Sequence, residues 1–536
     1  MFFSSASVLL NSYITNKKQY FFNFSLISTI FISILFLKIN LLNEVLRSYE
    51  IIRYITFSCC FSNLIISFDL LFNNCKKYTI IKCFIIFVFS LPIVLVWMYY
   101  FVSGAWLNVD AILAILQTNF NEAKEYANDN FSVYHVMFLC LYIIFIFILK
   151  NKILFNKHKG FVLLFLSIFL SLIGIQKANE NILLPIFIKT KEYIQYYNNF
   201  DKYKLERKDN LLKLVENTKD IKGVFVLVIG ESQNKNYMSA YGYSRNSTPW
   251  LNKIKDNYNV IFFKNAYSCH THTIPVLTYA LTEKNQYNNI NFGKANSLVE
   301  VVEAVGCETV WLSNQSKYGI YDTPITVIAS EANQQIWINN YEGEGTKANY
   351  YDLKLIEELN KIKYTDKMFI VIHLMGNHGS YDERYPDEFK KFIGGKDVDE
   401  YDNSILYNDY VVQNLYKKLS TLPDFKCMVY FADHADVPRE HLGHDVNRYI
   451  PEMTEIPFYM LLSESYIKEN QEKFNSLKIA QDKYFTNDLI FNTVLSLMNI
   501  KINGMYEAEN DISSQQYDSN PERFRTLYGK KRIGEQ

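Results

Sequence analysis

The feature that most limits how this chain can fold is a lopsided distribution of apolar residues. Five segments, approximately 21–37, 54–72, 80–101, 133–149 and 160–175, are runs of Phe, Ile and Leu, and nothing comparable follows them. Crossing a bilayer takes roughly 20 such residues, so the expectation is a five-helix transmembrane domain over residues 1–178. The first segment has the length of a signal-peptide core. No small-residue cleavage site follows it and four further segments do, so it reads as an anchor. Lys17 and Lys18 precede the first span, Lys76 and Lys77 separate the second from the third, and Lys150, Lys152, Lys157 and Lys159 separate the fourth from the fifth. Positive loops stay in the cytoplasm, and Arg47 and Arg53 in the first outer loop are the exception. With an odd number of spans, everything after residue 175 is expected outside the cytoplasm, which in a bacterium is the periplasm.

Lys plus Arg and Asp plus Glu each number 55, which leaves no global positive field for nucleic acid. Of the eight cysteines, only Cys269, Cys307 and Cys427 lie in the outer part, where a disulfide is permitted and at most one pair can form. The outer loop at 102–132 has helical spacing over 111–126, and there Thr118 and Glu122 share a face at the membrane surface. Residues 179–220 begin apolar and continue rich in Tyr, Lys and Asn, as expected of an interfacial linker helix.

From residue 221 to 536 the pattern changes. Short apolar strands are expected at 224–229, 260–263, 309–312, 368–373, 427–431 and 458–462, with helical stretches at 273–281, 297–304, 351–363 and 405–419 between them. That alternation predicts an α/β sandwich around a largely parallel sheet, with ligands beyond the carboxyl ends of the strands.

Three of those strands run into metal-ligand chemistry: Glu231 after the first, His378 after the fourth, and Asp433 and His434 after the fifth. Carboxylates and imidazoles gathered at one sheet edge make a mixed oxygen and nitrogen site with room for a hydroxyl. The run from Asn265 to Leu277 supplies the hydroxyl, with Thr271 and Thr273 among histidines just ahead of a helix marked by Pro275. A hydroxyl there faces the positive end of the helix dipole, where a phosphate is favoured.

These motifs resemble the phosphoethanolamine transferases. They are membrane-anchored members of the alkaline phosphatase/sulfatase superfamily that modify lipopolysaccharide and include the mobile colistin-resistance enzymes. The resemblance is carried by Gly230-Glu231-Ser232, by Met238 to Tyr243 with Arg245 and Thr248-Pro249-Trp250, by Ser313-Asn314-Gln315, by Gly376 to Gly379, by Asp433-His434 and by Gly443-His444, in the family's order. It implies an alkaline phosphatase/sulfatase-like α/β sandwich after five transmembrane helices. It also implies one tightly bound Zn2+, with a second ion possible during turnover. By position Thr271 resembles the nucleophile, with Thr273 as the alternative, and Glu231, Asp433 and His434 resemble the remaining zinc ligands. His378 and His444 resemble the pair that holds the substrate phosphate or a second zinc, with His441 competing for the latter place. Asn314, Lys317, Thr118 and Glu122 resemble the headgroup-binding set.

The implied reaction is a ping-pong transfer. Thr271 takes phosphoethanolamine from phosphatidylethanolamine, and the covalent group passes to lipid A or a core sugar of lipopolysaccharide. The enzyme would be a monomer in the inner membrane, and the added amine would weaken cationic antimicrobial peptides. Two alternatives stand beside it. One is a related phosphodiesterase or glycerophosphate transferase; the other is a non-catalytic sensor or scaffold. A sulfatase activity is disfavoured because Cys269 lacks the Pro and Arg of the formylglycine motif.

Overall fold

The computed structural model describes residues 221–315, 324–339, 350–439, 442–502 and 504–534 throughout, and before them chiefly 21–29, 78–103, 132–148 and 202–215. Contacts divide the chain into two units, residues 1–113 with 127–192, and residues 114–126 with 193–536.

In the first unit, α1 (Tyr78–Ser103) and α2 (Val133–Ile148) coincide with the expected third and fourth spans. They meet through the Ser90 and Tyr142 hydroxyls, 2.8 Å apart. Ile86, Ile93 and Val96 are buried, while Phe84, Leu95, Leu141, Ile144 and Phe147 face outward. Among the described residues no helix is long and apolar enough to cross a membrane. Nearly all of the expected spans at 54–72 and 160–175 lies outside the described residues, as do Thr118 and Glu122 of the 111–126 segment.

The second unit is built on a seven-stranded sheet. Its members are β1 (Gly223–Gly230), β2 (Val260–Phe263), β4 (Glu308–Ser313), β5 (Gln334–Trp337), β6 (Lys367–His373), β7 (Phe425–Ala432) and β8 (Phe458–Leu462). A short separate pair joins β3 (Asn265–Tyr267) to β9 (Tyr484–Thr486). The main order is β2-β8-β7-β1-β6-β4-β5. Five neighbours from β7 to β5 run parallel, and β8 is antiparallel to both β7 and β2.

Strand β1 is buried along its whole length because it serves two cores. Phe225, Leu227 and Ile229 belong to one cluster, and Val224, Val226 and Val228 to the other. Period-two alternation sends them to opposite faces, each covered by helices, so a continuous apolar run is what a central parallel strand requires. The six expected strands match observed ones to within two residues at each end. The sequence reading missed β5, which reads Gln-Gln-Ile-Trp and is only partly covered at the sheet edge. The helix expected over 405–419 begins earlier, as Lys396–Leu419, where Val398 and Tyr401 carry the apolar face of Ile405 back through otherwise polar turns.

In the linker, α3 (Lys204–Val215) buries Arg207. Its guanidinium reaches Glu300 at 3.0 Å and Glu331 at 2.9 Å and lies 3.8 Å over the Phe200 ring. Removing Arg207 would leave two buried carboxyl groups without their cation, so the helix is pinned where it lies.

Candidate active site

Glu231 and Asp433 come together because β1 and β7 are neighbours in register, Gly230 opposite Ala432. The Asp433 N–H donates to the Gly230 carbonyl at 3.0 Å. Asp433 Oδ1 accepts the backbone N–H groups of Ser232 (3.0 Å) and His434 (2.7 Å). That fixes the carboxylate and leaves Oδ2 buried, with no hydrogen-bond donor reaching it among the described residues. His434 Nε2 lies 3.4 Å from Asp433 Oδ2 and 3.4 Å from Glu231 Oε1. Ser232, in the left-handed region at φ 55°, turns its hydroxyl back onto Glu231 Oε1 at 2.8 Å. The Tyr401 hydroxyl holds the Ser232 carbonyl at 2.6 Å, which offsets the strain of that turn.

The hydroxyl that joins this set belongs to Thr273. Its Oγ1 is 3.2 Å from Glu231 Oε2 and 3.4 Å from His434 Nε2. Thr271, expected there, instead has its hydroxyl 3.0 Å from His272 Nδ1 and is fully buried. The physical reason is where the helix begins. Helix α4 (Thr273–Ala280) starts at Thr273 itself, with His272 extended before it. The first-turn residue therefore meets the sheet edge, and the loop residue two positions earlier does not.

Burial and repulsion from neighbouring carboxylates make Glu231 and Asp433 hold their protons more tightly than usual. Burial first, opposed in part by the Ser232 hydroxyl, pushes Glu231 up to about 7. Burial and the Glu231 charge push Asp433 up to about 7 as well, while burial holds His434 below its ordinary value. Two inward carboxylates, a neutral imidazole and a hydroxyl, with Oδ2 unclaimed, fit a divalent metal of zinc type.

A second group adjoins the first. Asp436, His444 and His434 offer donor atoms within 4.8 Å of one another. His444 Nδ1 is 2.5 Å from Asp436 Oδ1. Burial works to lower His444, but the Asp436 carboxylate outweighs it and brings the ring up to about 9, so it is a cation at neutral pH. His378 is brought to the same neighbourhood and is neutral, held down to about 3 mainly by burial and then by Arg384.

The turn carrying His378 is held by Asp352, whose carboxylate accepts from the Met375 and Gly376 N–H groups, each at 2.8 Å, and from Asn314 Nδ2 at 2.8 Å. Asn314 also donates to the Tyr350 carbonyl at 2.9 Å and accepts from Asn339 at 2.8 Å. Its amide thus braces the loop, at the position where the resemblance implied a headgroup contact. Gln315 is the neighbour that reaches the site, with Nε2 3.5 Å from Glu231 Oε2 and 2.8 Å from the Leu374 carbonyl. Lys317 and His441, like Thr118 and Glu122, lie outside the described residues. Asp352 and Asp436 went unrecognised in the sequence, although Asp436 stands only two positions after His434, and Gln315 was noted there only as part of its motif. Cys269 and Cys427 are free and buried.

Gly376 has φ 53°, and a Cβ there would lie 2.9 Å from both N and O of Glu231. Gly376→Ala is expected to destabilise the protein by about 2–4 kcal/mol and to displace Glu231. Thermal unfolding of the full chain in detergent, followed by zinc analysis, measures both.

A sheet of this order with Glu, Thr, Asp and His at one end defines a class, and the comparisons bear it out: the Sulfatase family profile matches residues 224–500, and the chain belongs to that family. Within it the chain is similar to phosphoethanolamine transferases. It is 27% identical to "Phosphoethanolamine transferase EptC" of Escherichia coli K12 over 423 residues, 70% of this chain and 73% of that protein. It is 25% identical to "Phosphoethanolamine transferase CptA" of Salmonella typhimurium over 471 residues, 78% of this chain and 80% of that one. The periplasmic domain of E. coli EptC in complex with Zn superposes with a TM-score of 0.52 at 27% identity, over 60% of this chain and 97% of that domain. The integral membrane protein EptA of Neisseria meningitidis shares the fold, with a TM-score of 0.61 at 20% identity over 92% of this chain and 96% of that chain.

Proposed function

We propose that this chain transfers phosphoethanolamine from phosphatidylethanolamine to a lipopolysaccharide component, through a covalent intermediate on Thr273. The observation that carries the reading is the Thr273 hydroxyl, 3.2 Å from Glu231 at the start of α4. It replaces Thr271 as the proposed nucleophile.

Glu231, Thr273, Asp433 and His434 would hold the zinc. When bound, that ion supplies the positive charge that lowers the pKa of a coordinated hydroxyl and screens phosphoryl oxygens. The remaining work falls to side chains. Asp433, locked by two backbone N–H groups, and Glu231, held by Ser232, fix the place where the Thr273 oxygen must sit. Thr273 Oγ attacks phosphorus, and the glycerol oxygen leaves with a proton as diacylglycerol. Before Pro275, the Thr273 and Ile274 N–H groups at the start of α4 would face the phosphoryl oxygens. The His444 cation, beside His434, is placed to neutralise phosphoryl charge as it develops. An acceptor oxygen then attacks the phosphothreonine and restores the hydroxyl.

Membrane anchoring in the inner membrane, with residues 221–536 in the periplasm, is part of the proposal. Donor and acceptor are both lipids, so an anchor raises their effective concentration. The outward apolar side chains of α1 and α2, such as Phe84 and Leu141, support it because water penalises such a surface. The resemblance to transferases named for phosphoethanolamine supports the transferred group, and the zinc complex of the EptC domain supports the metal.

Cells given headgroup-labelled phosphatidylethanolamine provide the test. Label recovered on lipopolysaccharide with the wild-type chain, and absent with Thr273→Ala, is the expected result. Label found only in water-soluble products would replace the transferase by a phosphodiesterase.

A further inference from the structure

His444 is reached by a chain of contacts that begins on a different loop. Asp436 Oδ1 holds His444 Nδ1, and Asp436 Oδ2 accepts the Tyr381 hydroxyl at 2.9 Å. Both oxygens of this carboxylate, which is 2% exposed, are therefore engaged. Tyr381 is fixed in turn. Its ring packs edge-on against Tyr401, centroids 4.8 Å apart. Tyr401 is fully buried and its hydroxyl spans the Ser232 carbonyl and the Asn234 N–H.

A carboxylate accepting from Nδ1–H fixes an imidazole's orientation and leaves Nε2 on the opposite edge. The His444 ring stands 4.4 Å from the His434 ring and 5.2 Å from the His272 ring, centroid to centroid, so it is packed among the side chains around Thr273. A carboxylate held at one oxygen only can swing about its side-chain torsions. The Tyr381 hydroxyl removes that freedom at the second oxygen.

We propose that Tyr381 is a positioning residue: acting through Asp436, it fixes the His444 ring so that its far edge meets the phosphoryl group over Thr273. This rests on the phosphoryl-transfer reading of the site. Tyr381 lies 55 residues from Asp436 in sequence, on the β6 loop that also carries His378. The contact therefore ties the two loops that line the phosphate side.

The test uses the zinc-loaded full-length protein in detergent, with Tyr381→Phe, Asp436→Asn and the double variant. Diacylglycerol release from phosphatidylethanolamine and inorganic phosphate binding by calorimetry are both measured. Tyr381→Phe is expected to slow release about tenfold, and Asp436→Asn by more. The double variant should be no slower than Asp436→Asn alone, because the hydroxyl acts only through the carboxylate. Phosphate affinity should fall several-fold in Tyr381→Phe with its melting temperature unchanged. Three results would overturn the assignment: unchanged release and phosphate affinity in Tyr381→Phe, effects that multiply in the double variant, or a second zinc lost in Asp436→Asn while Tyr381→Phe behaves as wild type. Should the wild type release no diacylglycerol, the transferase reading fails, and phosphate affinity still decides the role of Tyr381.

Discussion

Thr273→Ala lowers phosphoethanolamine transfer by about ten-thousandfold, whereas Thr271→Ala costs no more than about tenfold. The asymmetry follows from one helix boundary. Thr273 opens α4 and faces Glu231 and His434. Thr271 hydrogen-bonds His272 Nδ1 inside the loop, and losing that bond is worth about 1 kcal/mol of local order. Mass spectrometry of the intact protein after incubation with donor lipid checks the assignment directly. A phosphoethanolamine adduct should accumulate on the peptide spanning these residues in the wild type, persist in Thr271→Ala and vanish in Thr273→Ala. The reverse pattern would return the nucleophile to Thr271.

The second large effect is on metal retention. Asp433→Asn keeps an oxygen to accept the Ser232 and His434 N–H groups but removes the charge at the position of the unclaimed Oδ2. Zinc affinity is expected to fall by at least about a hundredfold. The wild-type affinity should itself depend on pH. Glu231 and Asp433 are each raised to about 7 in the metal-free site, so both carry protons below that pH and lose them above it. Zinc must displace those protons, and binding should weaken about tenfold or more per unit as pH falls below 7. Equilibrium dialysis at pH 6, 7 and 8 measures the slope. An affinity flat across that range would mean the carboxylates are already ionised and the site is not desolvated as described.

Much of this was legible in the chain. Continuous apolar runs such as 224–229 identify strands covered on both faces, because only such a strand can be apolar at every position. Placing Glu231 and the Asp433-His434 pair directly after such strands was enough to forecast that they meet, since parallel neighbours deliver their ends to one edge. The sequence could not choose between Thr271 and Thr273. Both are hydroxyls among histidines, and the choice depends on where the helix starts relative to the sheet edge. Nor could it show how Asn314 is used: its place in the motif is the same whether its amide points to a ligand or to Asp352, 38 residues away.

By itself, then, the sequence determined the α/β architecture and the strand ends at which Glu231, Asp433 and His434 gather, because these follow from local periodicity and from residue type. Only the tertiary structure decided which threonine is presented, which polar groups are spent on bracing, and that Tyr381 reaches His444 through Asp436. Those depend on distances between residues far apart in the chain, and hydrogen bonding falls away within a few tenths of an ångström.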